Sequence, residues 1–203
     1  MARTAGSFGE KTEAATREAA VGLIAHLGYE AVTMRRLAAE VGVQAAALYR
    51  YFPTKEELLF SLMREHMDGL IASWDEARPD APDPVARLAA FVENHIRFHV
   101  ARRHSTHVSN MELRSLSPQR LTAILKLRGQ YEKELRQILR DGAETGVFRI
   151  GDVTLTAMAV IQMITGVIVW FRPDERLSVE QVAETYHTMT MRLVGAETEE
   201  HHV

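Results

Sequence analysis

TMRRLAAEVGVQAAALYRYFPTKEELL, running from Thr33 to Leu59, decides the fold. Thr33 precedes an apolar-periodic run, where its hydroxyl can accept a bond from the free amides at a helix start. Gly42 tolerates the left-handed backbone of a tight turn, so a second short helix can cross the first. In that helix Leu48 and Phe52 lie one turn apart and face inward with Ala47. Ala45, Ala46 and Tyr49 fall on the opposite side. Thr54 and Glu57 then have capping-box spacing and open another helix. Two short helices across a glycine turn, the second with a small outer face, form the layout of a helix-turn-helix that enters a DNA major groove.

The residue types suggest distinct tasks within this head. The first amides after Thr33 make a favourable phosphate site. Tyr49, Tyr51 and Lys55 are spaced to reach the sugar-phosphate rails. Gln44 opens the second helix with an amide able to pair with adenine N6 and N7. Arg35, Arg36 or Arg50 assist it, because Ala45 and Ala46 offer only methyl contacts. The sequence leaves open whether Arg3 reaches the minor groove.

Composition bounds the alternatives. The chain has 203 residues, 46% of them hydrophobic, so it can bury a sizeable core. It has no cysteine, which removes disulfides, thiolate metal sites and thiol nucleophiles together and fits a reducing compartment. The N-terminus lacks the unbroken apolar core of a secretory signal, and a cytoplasmic protein is expected. A net charge of −3 excludes a generally basic nucleic-acid glue, so DNA affinity must come from charges placed on one face. Val153 to Phe171 is uncharged and approaches membrane-span length. Thr154, Thr156, Gln162 and Thr165 interrupt it, and the expectation is burial between a core and a partner subunit rather than insertion.

The rest of the chain reads as helix after helix. Asp83-Pro84, Ser117-Pro118 and Ser178 supply caps, Ser178 with Gln181 has capping-box spacing, and Gly28, Gly146 and Gly195 sit at C-terminal cap positions. No segment alternates with period two. The expected fold is therefore all-α with about nine helices, a three-helix N-terminal head and a C-terminal helical body. The first helix spans Glu10 to Leu27, with Ala14, Ala15, Ala19, Leu23 and Leu27 as its inner stripe. The head pair covers 34–41 and 44–51, and further helices cover 55–75, 84–103, 107–115, 118–145, 153–171 and 179–194. The domain division expected is 1–54 for DNA binding and 55–203 for ligand binding and dimerisation, with 55–75 as connector.

Gly42, Val43, Leu48, Tyr49, Phe52, Lys55, Glu56 and Leu58 stand in register with a family pattern, and here the chain resembles the tetracycline-repressor (TetR) family of transcriptional regulators. The resemblance implies homodimers, paired through the last two helices, that bind palindromic double-stranded DNA operators and are released by a small molecule. The chain departs from the pattern at Gln44, Ala46 and Tyr51, where the family usually has Ser or Thr, Gly, and His. Met111-Glu112-Leu113-Arg114 to Leu127-Arg128, Glu144 to Phe148, and Trp170 to Pro173 loosely resemble a subgroup that senses acyl-CoA thioesters.

An acyl-CoA needs an apolar slot and cations for its phosphates. Phe91, Phe98, Met111, Met158, Ile161 and Met163 are candidates for the slot, and Arg97, Arg102, Arg103 and Arg128 for the charge. Gln162 and Thr165 are polar candidates within the same helix. The runner-up effector is a hydrophobic drug-like compound of the kind efflux regulators sense. His95 and His99, at i and i+4, make half of a zinc site, but Ile96 stands where a zinc protease has its glutamate. No metal, cofactor or catalytic residue is expected. Two other classes stay open: a helical enzyme, and a protein-interaction module with a degenerate head.

Overall fold

A computed structural model describes residues 5–80, 83–173 and 175–196, and all regular structure among them is helical. In chain order it has α1 (Ala5–Leu27), α2 (Met34–Val41), α3 (Ala45–Leu48), α4 (Lys55–Ala77) and α5 (Pro84–Ala101). These are followed by α6 (Arg103–Met111), a 3-10 turn at Leu113–Ser115, α7 (Pro118–Glu144), α8 (Val153–Thr165), α9 (Val167–Trp170) and α10 (Val179–Leu193). Arg3 lies outside the described residues. α8 and α9 meet at Gly166, where the Val169 amide donates to the Gly166 carbonyl, three residues back. That tightens one helix locally rather than ending it.

Caps set most of the boundaries. The Arg36 amide donates to Thr33 Oγ1 at 3.1 Å, and the Val85 and Ala86 amides to the Asp83 carboxylate at 3.0 and 3.2 Å. Ser178 and Gln181 form the full reciprocal box. Gly42, at φ 74°, ends α2, and the Val43 amide reaches back to the Ala38 carbonyl at 2.9 Å. α3 stops at Leu48 instead of reaching Tyr51. Pro53 disfavours helical backbone at Phe52, and the chain closes with turns in which the Tyr51 and Phe52 amides both donate to the Leu48 carbonyl.

The chain divides into two compact units. One holds the chain through Met67 together with His104–Leu125; the other holds Asp68–Arg103 and the chain from Lys126 onward. This geometric division passes within α4 and α7 rather than at Thr54.

In the first unit Leu37, Ala38, Leu48, Phe52, Leu58, Leu59 and Met63 form the core. The α1 stripe that faces it is Thr16, Ala20 and Ile24. The expected stripe is a correction: Ala14, Ala15 and Leu27 are exposed, and Ala19 and Leu23 half-buried. Alanine is so frequent on this helix that neighbouring faces look equally apolar. Thr16 is tolerated inside because its hydroxyl donates to the Thr12 carbonyl at 2.7 Å.

In the second unit α10, α8 and α9 all pack on α5. Leu88, Phe91, Val92 and Ile96 of α5 are fully buried, as are Leu135, Ile138 and Leu139 of α7. After α7, Gly146 at φ 78° turns the chain and Phe148 folds back, its ring lying where a side chain on Gly142 would stand. The Glu144 to Phe148 segment is thus a packing device of the turn.

Candidate nucleic-acid interface and buried polar core

The tip of the head faces solvent. Thr33, Arg35, Arg36, Gln44, Ala46, Tyr49 and Arg50 are exposed, with Ala45 and Tyr51 half-buried behind them. Leu48 and Phe52 anchor this tip from below at 0% and 2% exposure. Gln44 is the N-cap of α3 but makes no side-chain cap bond, so its amide stays available for an outside partner. Lys55 is less exposed than the others: its ammonium sits 3.9 Å from the Tyr29 ring centroid and donates to the Tyr29 carbonyl at 3.1 Å. A lysine has three donors, so this bond leaves two for a phosphate.

Within the same unit, carboxylates tie the 104–125 segment to the head helices. Glu112 accepts from the Tyr29 amide at 3.0 Å and Glu56 from the Ser117 amide at 2.8 Å. Arg120 reaches both Glu56 and Glu57. The Ser117 amide bond is the main reason the Glu56 carboxyl lies below its ordinary range, with Arg120 adding to it. Glu57 spends its carboxylate on Arg120, and its amide donates to Thr54 Oγ1 at 2.9 Å.

The second unit buries a polar column among aromatic rings. His95 bridges two hydroxyls, Nδ1 to Tyr131 at 3.2 Å and Nε2 to Thr165 at 2.9 Å. The His99 ring stacks on His95 at 3.9 Å and bonds the His95 carbonyl through Nδ1 at 2.7 Å. Phe91 lies 4.8 Å from the Tyr131 ring and 5.1 Å from Trp74. Burial pulls the His99 pKa down to about 4, with the Arg128 charge also lowering it, and burial pushes the Tyr131 phenol up. At neutral pH His99 and Tyr131 are therefore uncharged.

The structure brings together part of the expected ligand set. Phe91, Phe98, Thr165 and Arg128 belong to this column or border it. Ile161 is half-buried on α8. Met158 and Gln162 point to solvent, and Met111, 52% exposed, belongs to the other unit. Arg97 is exposed and ion-paired with Glu93 and Glu180 at 2.8 and 2.9 Å. Met158, Gln162 and Arg97 do not converge on the column, because spacing along a helix ranks faces without saying which one meets a neighbour. Tyr131 and Trp74 were missed; the stripe Tyr131, Leu135, Ile138 on α7 was the available signal. Among the described residues no three His, Cys, Asp or Glu side chains converge as a metal site.

A third feature is apolar and outward. Leu155, Met158, Val169, Trp170, Met189 and Leu193 of α8, α9 and α10 are exposed, and only 28% of Val153–Trp170 is buried. By length and composition this stretch also passes for a membrane span.

Comparison with known proteins gives two family matches. A model described as "Bacterial regulatory proteins, tetR family" covers residues 17–62, and one described as "Tetracyclin repressor-like, C-terminal domain" covers 81–194. The HTH-type transcriptional repressor KstR2 of Rhodococcus jostii (strain RHA1) is 26% identical over 190 residues, spanning 93% of this chain and 92% of that protein. A bacterial regulatory protein of the tetR family from Rhodococcus RHA1 has a solved structure that matches with a TM-score of 0.88 at 31% identity, over 93% of this chain and 99% of that one. AibR, solved in complex with isovaleryl coenzyme A and operator DNA, matches with a TM-score of 0.76 at 28% identity, over 92% and 100%.

Proposed function

This chain belongs to the TetR family of transcriptional regulators, which are not enzymes, and from that premise we propose a cytoplasmic homodimeric repressor that leaves its operator when an acyl-CoA binds. The exposed α3 tip is the observation that carries the DNA reading: Gln44, Ala46, Tyr49 and Arg50 stand outward on a helix held by Leu48 and Phe52. Gln44 reads a base edge, and Thr33, Tyr49, Tyr51 and Lys55 hold the backbone, with Arg35, Arg36 and Arg50 supporting. The functional domains run to Thr54 for DNA and from Lys55 onward for effector and dimer, with α4 as connector.

The outward apolar face of α8, α9 and α10 supports pairing with a second copy. A patch of this kind is costly in water and suits a two-fold interface between identical helices. Such a dimer sets two α3 tips about one DNA turn apart, roughly 34–36 Å, on a palindromic site. The acyl-CoA effector is supported by the relative solved with isovaleryl coenzyme A. Its mechanism is a population shift: the thioester binds best to a form of the body in which the two tips mismatch the operator. A coupling of about 1–3 kcal/mol changes occupancy several-fold to a hundred-fold.

The test is an operator-binding titration with short- and long-chain acyl-CoAs added. Loss of DNA affinity with at least one thioester is expected. Undiminished affinity with every thioester removes the acyl-CoA assignment, and release by a hydrophobic drug-like compound in the same assay replaces it.

A further inference from the structure

Tyr29, in the turn between α1 and α2, has its backbone held from two distant parts of the chain. Its amide donates to Glu112 Oε1 at 3.0 Å, across 83 residues, and its carbonyl accepts from Lys55 Nζ at 3.1 Å, across 26. The carbonyl also accepts from the Val32 amide at 3.1 Å, so both of its lone pairs are taken. Gly28, at φ 80°, brings the chain into this turn. The Tyr29 side chain is buried, with the Lys55 ammonium 3.9 Å from its ring centroid.

Glu112 is itself fixed, because Ser115 Oγ donates to its Oε2 at 3.2 Å. A few residues on, the Ser117 amide donates to Glu56 at 2.8 Å and Arg120 pairs with Glu56 and Glu57. The link from α6 to α7 therefore grips both ends of the Lys55 tether: the turn that carries its acceptor, and the first turn of α4 that carries Lys55 itself. All of these groups lie in the first unit. A flexible lysine loses much side-chain entropy when it meets a phosphate. Lys55, held on a ring face and a carbonyl, has given up that freedom beforehand, and its ammonium keeps two donors for an outside anion.

We propose that Glu112 is a positioning residue for DNA binding: by holding the Tyr29 amide it keeps Lys55 preordered for a backbone phosphate. The proposal rests on the DNA reading above, in which Lys55 meets phosphate. It brings into that site a residue of the link between α6 and α7, far along the chain from the reading helix. The accepted bond does this, not the charge. A further carboxylate close to a phosphate-binding lysine weakens DNA binding by charge alone, so electrostatics gives Glu112 the opposite sign.

Fluorescence anisotropy with a duplex that the unaltered full-length protein selects from a random-sequence pool tests this. E112A is expected to weaken binding about fivefold. E112D keeps the charge but withdraws the oxygens by one methylene, and weakens binding similarly. E112Q can still accept from the Tyr29 amide and restores affinity to within about twofold of the unaltered protein. K55A alone costs about tenfold at roughly 0.1 M salt. In that background E112A and E112Q bind alike, because the lysine they position is gone. Melting temperatures followed in parallel separate unfolding from lost binding, and E112D carries the test if E112A does not fold. E112Q as weak as E112A overturns the proposal. So does an equal loss from E112A with and without Lys55, which makes Glu112 an independent structural brace. An unchanged affinity in K55A removes the phosphate role of Lys55, and this assignment with it, while leaving the rest of the tip. If the pool yields no bound duplex, the DNA reading itself fails and the assignment falls with it.

Discussion

The two units each bury an apolar core with a few polar side chains, but they differ in what they leave outside: a polar tip on the first, a broad apolar face on the second. The head places its polar residues outside, Gln44, Arg35, Arg36 and Arg50 among them, over a core of Leu37, Leu48, Phe52 and Leu59. The body buries His95, His99, Tyr131 and Thr190 and leaves Leu155, Val169 and Trp170 in water. An ordinary fold follows the first rule because apolar burial is the main stabilising term and buried polar groups are costly. In the body, the outward apolar face and the enclosed bonds of His95 to Tyr131 and Thr165 are where the proposed second copy and the proposed effector would act.

One truncation made at two places should test the contrast most strongly. Leu48→Ala removes a fully buried side chain under the α3 tip and is expected to cost about 2–5 kcal/mol of folding stability. Leu155, 66% exposed, should respond differently. Leu155→Ala leaves the urea midpoint of an isolated subunit nearly unchanged but weakens self-association in sedimentation equilibrium. A loss of subunit stability at Leu155 as large as at Leu48 breaks the comparison.

Acid should find the body's weak point. The folded body protonates His99 only near pH 4, whereas the unfolded chain does so near the ordinary histidine value of 6.5. The unfolded state therefore holds more protons in that window, and stability falls as pH drops from about 6.5 to 4, by roughly 3 kcal/mol in all. Below pH 4 this contribution changes no further. Urea unfolding across that range in unaltered protein and His99→Gln measures it; an identical slope in both assigns the effect elsewhere.

The head offers two finer tests. Gln44→Ala should relax preference at a single base-pair position, costing about 1–3 kcal/mol there. Equal weakening across a panel of operator variants refutes the base-reading role. Lys55→Ala should weaken all sequences alike and reduce the salt slope by about one phosphate contact. Because Lys55 also holds the Tyr29 carbonyl, its melting temperature should be followed alongside; lower stability with an unchanged salt slope makes it a structural lysine.

The head was legible in the sequence because its interactions are local. Thr33, Gly42, Leu48, Phe52 and Thr54 all act within a few residues of themselves, and caps, turns and one-turn contacts follow directly from spacing. The α1 stripe was misread where alanines made neighbouring faces alike. The expected burial of Val153 to Phe171 between a core and a partner subunit depends on a second copy, since most of Val153–Trp170 is accessible on this chain.

Sequence alone determined an all-helical chain with a DNA-reading head, because helix periodicity, capping and glycine turns are written in neighbouring residues. The tertiary structure decided which polar groups meet inside the body. His95 joins Tyr131 and Thr165 across 36 and 70 residues. Such partners are chosen by the packing of α5 against α7 and α8, and no local pattern specifies which faces of three helices will close on one another.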